Sequence, residues 1–137
     1  MTPATRRISW LLQAIVAVIL LQTLYFKFTG AEESAYIFRT LGAEPWGRLG
    51  SGLAELLVAG LLLTPRLAVV GALGALGIMT GAIISHLLVL GLEVQGDGGL
   101  LFGLALTVFA ASATIVIVRR AELPLVGAAQ APQGAGQ

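Results

Sequence analysis

Of the chain's 137 residues, 57% are hydrophobic and only 11% charged. Soluble domains average roughly 45–50% and about 25%, so a water-soluble globule of this size has no interior large enough for the excess. The net charge of +1 is small and evenly spread, which sets nucleic-acid binding aside. With no cysteine, disulfides, thiolate metal sites, iron–sulfur ligation and cysteine-based sulfur transfer within the chain are excluded.

Lipid is the natural solvent for such a composition, and a spanning helix needs roughly 20 successive apolar residues. Four stretches qualify, near 8–28, 47–64, 67–91 and 100–118. The expected fold is all-α, an integral membrane four-helix bundle, because in lipid an open-ended element must satisfy its own backbone hydrogen bonds. The first stretch follows Arg6 and Arg7, as a secretory signal would. It exceeds the roughly 7–15 residues of a signal core and lacks a small-x-small cleavage site, so it reads as the first span.

Between the first two spans lies the one long connection, 29–46. Thr29-Gly30-Ala31-Glu32 fits a capping box, and Tyr36, Ile37, Phe38 and Leu41 supply apolar residues to a short helix ending near Gly42. That helix is expected in the outer interface or folded over the bundle as a lid. Pro45 and Trp46 then open the second span, Pro in the first turn and Trp at headgroup depth. Thr64-Pro65-Arg66 allows only a tight turn, making the second and third spans antiparallel neighbours.

Orientation follows from the basic residues of short loops. With both termini cytoplasmic, Arg6, Arg7, Arg66, Arg119 and Arg120 lie inside and Lys27, Arg39 and Arg48 outside. The loop carrying Glu93 and Asp97 has no basic residue and belongs outside. Beyond Arg120 the composition turns to Ala, Gly, Gln and Pro, the signature of a flexible cytoplasmic tail over 121–137.

Small residues let helix backbones approach in lipid. Gly77-x-x-x-Gly81, with Gly74 on the same side, marks the expected seam of the third span, used within the bundle or as a homodimer contact.

Ionisable groups inside spans cost about 2.5–3.5 kcal/mol each at mid-bilayer, so each needs an account. Lys27 ends the first span, where its stem lets the ammonium snorkel to water. Glu55 lies roughly 12 Å below the outer end by helical rise, too deep to snorkel, and so is neutral or paired with Lys27 or with Arg48, two turns earlier on its face. His86, the only histidine, lies near 7 Å deep by the same rise. At 100° per residue it points almost opposite Gly77. If these faces turn inward they line an outer-half pocket, joined by Gln22, Ser51, Ser85 and Tyr36. The bland account of Glu55 and His86 is an interhelical hydrogen bond that fixes register. One histidine and two methionines under-supply a haem or zinc site. Hydrogen bonding to a quinone-like headgroup, proton relay and binding of a small polar solute remain open.

Phe26-Lys27-Phe28-Thr29-Gly30, Gly50-Ser51-Gly52-Leu53-Ala54-Glu55-Leu56 and Gly81-Ala82-Ile83-Ile84-Ser85-His86-Leu87 together resemble the DoxX-like family over about residues 8–118. The resemblance implies a small four-helix protein of the bacterial inner membrane. Some relatives are linked to thiosulfate:quinone oxidoreductase or to membrane oxidoreductase complexes, and Lys27, Glu55 and His86 occupy the motif positions. The lack of cysteine and of a soluble domain speaks against independent sulfur oxidation. The expectation is a subunit that supports an electron-transfer complex and binds a quinone, with no cofactor held by the chain alone. A small transporter or proton conductor, and a structural subunit docking larger membrane partners, are the alternatives.

Overall fold

Thr2 sets where the first helix begins. In the computed structural model, which describes residues 1–122, its hydroxyl accepts from the Thr5 N–H at 3.1 Å, and Pro3 takes the first helical position, where a missing N–H is harmless. Helix α1 (Pro3–Thr29) therefore starts more than a turn before the apolar run, and α2 (Glu32–Thr40), α3 (Trp46–Leu62) and α4 (Ala68–Ser85) follow. A π-helical turn (His86–Leu90), α5 (Leu100–Val118) and a short 3-10 turn (Arg120–Glu122) complete the described chain. The expected 121–137 tail lies, from residue 123 onward, outside the described residues.

Three helical stretches, Pro3–Thr29, Ala68–Leu90 and Leu100–Val118, are long and apolar enough to cross a membrane. The four long helices pack in cyclic order, α1 on α3, α3 on α4, α4 on α5 and α5 back on α1. Their shared core is Val16 and Leu20, Val58 and Leu62, Ala72, Ala75 and Met79, and Ala105, Val108 and Ile115. Large apolar side chains also point outward, Leu88 at 78% exposure and Val18 at 65% among them. So broad an apolar exterior needs lipid to cover it.

Two expected local features differ. Thr29 is not an N-cap: it is the last residue of α1, its hydroxyl donates back to the Tyr25 carbonyl at 2.7 Å, and Ala31 precedes α2 with no side-chain cap. The cause is Gly30, whose left-handed φ of 69° lets α1 end there with a bond from the Gly30 N–H to the Phe26 carbonyl. Within the bundle the glycine seam keeps Gly74 but extends to Gly71 instead of Gly77 and Gly81. Gly77 and Gly81 face open space, whereas a Cβ on Gly71 would stand 2.7 Å from the Leu62 nitrogen and one on Gly74 would stand 2.9 Å from Val58. Helices α3 and α4 are tethered by the short 63–67 turn, and their close contact lies in the turns nearest that tether.

Candidate functional site

Lys27 sits in the last turn of α1, where a cation complements the helix dipole. Thr23, one turn earlier, shares its face. Across the interface α3 presents Glu55, 3% exposed, one turn beyond Gly52. A Cβ on Gly52 would come within 2.9 Å of the Phe28 ring, so glycine there lets α1 approach α3 beside the carboxylate. The result is an ion pair. Lys27 Nζ donates to Glu55 Oε1 at 2.5 Å, while the Thr23 hydroxyl proton is shared between Glu55 Oε2 at 3.1 Å and the Leu20 carbonyl at 2.8 Å. Helix α2 closes the site from outside, with the Phe38 ring centroid 5.8 Å from Lys27 Nζ, within cation–π range.

Arg48 has a different task. Its Nε donates to both oxygens of Glu44, at 2.9 and 3.0 Å, and its Nη1 donates to the Lys27 carbonyl. It thus satisfies an end carbonyl of α1 that has no intrahelical partner. Of the two cations considered for Glu55, Lys27 is its partner and Arg48 holds the backbone above it.

His86 is buried at the start of the π-helical turn, with Nδ1 3.0 Å from the Gly91 carbonyl and its ring edge-on to Phe102 at 5.5 Å between centroids. The Gly91 N–H donates to the His86 carbonyl at 2.7 Å, so side chain and main chain close the same turn. Beyond it, Asp97 Oδ1 accepts from the Val94 and Gly99 N–H groups at 3.1 and 2.8 Å, and Oδ2 from that of Leu101 at 3.1 Å. Partial burial pushes the Asp97 carboxyl up, but these three N–H groups and the nearby His86 outweigh it and hold it below the ordinary carboxylate range. Glu33 of α2 is shifted the other way, by burial first and by the neighbouring Asp97 charge second.

The polar groups expected together therefore form two clusters, Lys27–Glu55–Thr23 and His86–Gly91–Asp97, each with its own partners. Gln22 and Tyr36 are exposed. The Ser51 hydroxyl donates to the Arg48 carbonyl at 3.3 Å, and that of Ser85 donates to Gly81 at 2.8 Å, both within their own helices. Thr23 and Gly52 join the cluster without having been expected there; Thr23 stands one turn from Lys27, and Gly52 stands one turn before Glu55.

A third cluster, also unforeseen, lies at the opposite end. The Arg119 Nε donates to the Ser9 hydroxyl at 2.6 Å, Ser9 donates to Gln13 Oε1 at 2.8 Å, and Gln13 Nε2 donates to the Leu62 carbonyl at 2.7 Å. All three side chains are buried, and the run of donors ties α5 to α1 and α1 to the end of α3. Its signal was Ser9 and Gln13 one turn apart inside an apolar run.

One cavity of about 540 Å³ lies at this end, and another of about 530 Å³ lies on the face of α3 away from Glu55, along Leu53 and Leu57. Neither has Lys27, Glu55 or His86 in its wall. As chemistry, the Lys27–Glu55 cluster offers a fixed cationic hydrogen-bond donor at the edge of an apolar helix pair. No protein-family model, curated protein or solved structure matches this chain.

Proposed function

We propose that the chain is a four-helix membrane bundle of the DoxX-like kind, a small bacterial inner-membrane subunit that supports an electron-transfer complex by holding a quinone headgroup at Lys27. In this reading α3 is the fourth crossing. Its 17 residues span about 26 Å, a few ångströms short of the hydrocarbon and within what local thinning accommodates. Helix α2 lies at the outer interface, Trp46 anchors the start of α3 there, and both termini are cytoplasmic.

The observation that carries the reading is the fixed but partly exposed Lys27 side chain. Lys27 retains 17% exposure while Glu55, which holds it, retains 3%. An ammonium has three N–H donors, and the carboxylate accepts only one of those described. A quinone carbonyl fits the others, with Phe38 supplying an aromatic wall. A bound quinone would supply the two-electron redox chemistry that this chain's side chains lack. Lys27 would orient one carbonyl and stabilise negative charge on its oxygen, and Glu55 would keep Lys27 in place.

A second reading rests on the same pair. Both Glu55 oxygens have partners, as they would in a clamp that serves only to fix α1 on α3. Purification in mild detergent followed by mass analysis of bound quinones separates the two. The quinone reading expects quinone with the wild-type chain and its loss from Lys27→Met. Equal quinone content in both proteins supports the clamp and overturns the quinone site.

A further inference from the structure

The end of the molecule remote from Lys27 carries a cavity of about 540 Å³ lined by Met1, Arg6, Trp10, Pro65, Arg66 and Arg119. Three arginines line it from three parts of the chain: the first turns of α1, the turn between α3 and α4, and the end of α5. Arg119 is 4% exposed, donates to Ser9 at 2.6 Å, and has its Cζ 5.9 Å from the Trp10 ring centroid, within cation–π range. The Ser9–Gln13–Leu62 run fixes that wall before any ligand arrives. Arg6 and Arg66 are exposed and make no ion pair or hydrogen bond with another described side chain, leaving planar forks that match a phosphate. Trp10 has the amphipathic ring that favours headgroup depth, and its chain neighbour Leu11, like Leu67 beside Arg66, presents an exposed apolar side chain. A ligand with a phosphate head and acyl tails meets both surfaces at once.

We propose that this cavity binds the phosphodiester of an anionic phospholipid headgroup, with Arg6 and Arg66 closing on the phosphate over the Arg119–Trp10 floor. The site rests on the membrane reading of the chain and is independent of the quinone assignment, so a variant at Lys27 leaves it intact. The test uses the full chain with Trp46→Phe, which leaves Trp10 as the sole tryptophan, in bilayer discs of phosphatidylcholine with a rising fraction of phosphatidylglycerol. A saturable change in Trp10 fluorescence is expected, weakened about fivefold by Arg6→Gln and by Arg66→Gln. Both residues are exposed, so the fold survives their loss. Arg7→Gln, an equal change of charge outside the wall, leaves the midpoint in place. Inorganic phosphate added to pure phosphatidylcholine discs gives no saturable change. A response that rises without saturation, or equal weakening by all three variants, reduces the effect to diffuse surface attraction and overturns the site. Saturation by inorganic phosphate alone overturns the lipid assignment.

Discussion

Lys27 and Glu55 meet across the α1–α3 interface as an ammonium and a carboxylate 2.5 Å apart, the acid buried and the base reaching the surface. Removing one partner leaves an uncompensated charge in a site with little water, a loss of roughly 3–5 kcal/mol in buried pairs. Glu55→Gln and Lys27→Met should therefore each destabilise the chain more than the two together, measured by thermal unfolding in detergent. Because Arg48 pairs with Glu44 instead, Arg48→Met should add to Glu55→Gln without coupling. Additivity between Glu55 and Lys27 would remove the pair from the account.

The glycine contacts give a second prediction. Gly71→Leu drives a side chain into the α3 backbone at Leu62, and overpacking of this kind costs roughly 1–3 kcal/mol or more. Gly77→Leu meets nothing within 4 Å and should leave unfolding unchanged. The reverse order of stabilities would mean the α3–α4 crossing is misplaced.

Two buried serines should behave in opposite ways. Ser9→Ala removes the hydroxyl that accepts from the Arg119 Nε–H and leaves the buried Gln13 side-chain oxygen Oε1 without its donor, a loss of about 1–3 kcal/mol for an unmet buried group. Ser112 Oγ is buried with no hydrogen-bond partner among the described residues. Its replacement by Ala should be neutral or stabilising in the same unfolding measurement.

Asp97 makes the 91–99 loop sensitive to acid. A carboxyl whose folded pKa is depressed contributes stability that is present above its unfolded value and lost as pH falls through the folded one. Asp97 lies below its ordinary 3.8, so its contribution should fade below that pH and be absent from Asp97→Asn. Glu33 has the opposite sign. Its raised pKa gives stability at low pH that is lost as pH climbs through the folded value, above the ordinary 4.5, and Glu33→Gln should flatten that part of the profile. An unchanged acid limb in Asp97→Asn would contradict the role given to its three backbone N–H bonds.

For topology, Glu93→Cys should react with a membrane-impermeant thiol reagent from the periplasmic side and Thr64→Cys only from the cytoplasmic side. Both positions are exposed. The opposite pattern would invert the orientation.

What the sequence made legible was periodicity and composition. The apolar run at 100–118 coincides with α5, and the half-turn offset between Gly77 and His86 reappears as one residue exposed and the other buried. A helical wheel fixes which residues share a face but not where two helices come closest, which is why the seam lies at Gly71 and Gly74. Depth alone flagged Glu55 yet could not choose between Lys27 and Arg48. That choice belongs to Gly52 and Phe28, whose contact brings α1 onto α3, and to Glu44, which engages Arg48 one turn away. The Ser9–Gln13 spacing marked the α1 half of the third cluster, but Arg119 joins it from 110 residues away, so no local pattern could name it as the third member.

The quinone assignment at Lys27 is tested most directly by titrating a short-chain, water-soluble quinone into the reconstituted chain and following quenching of its tryptophans. The account predicts saturable quenching that weakens roughly tenfold or more in Lys27→Met, the scale of a lost hydrogen bond to a charged group. The Lys27→Met, Glu55→Gln double variant, folded but without the donor, should bind as weakly. Equal affinity in the wild-type chain and both folded variants would contradict a quinone held by Lys27.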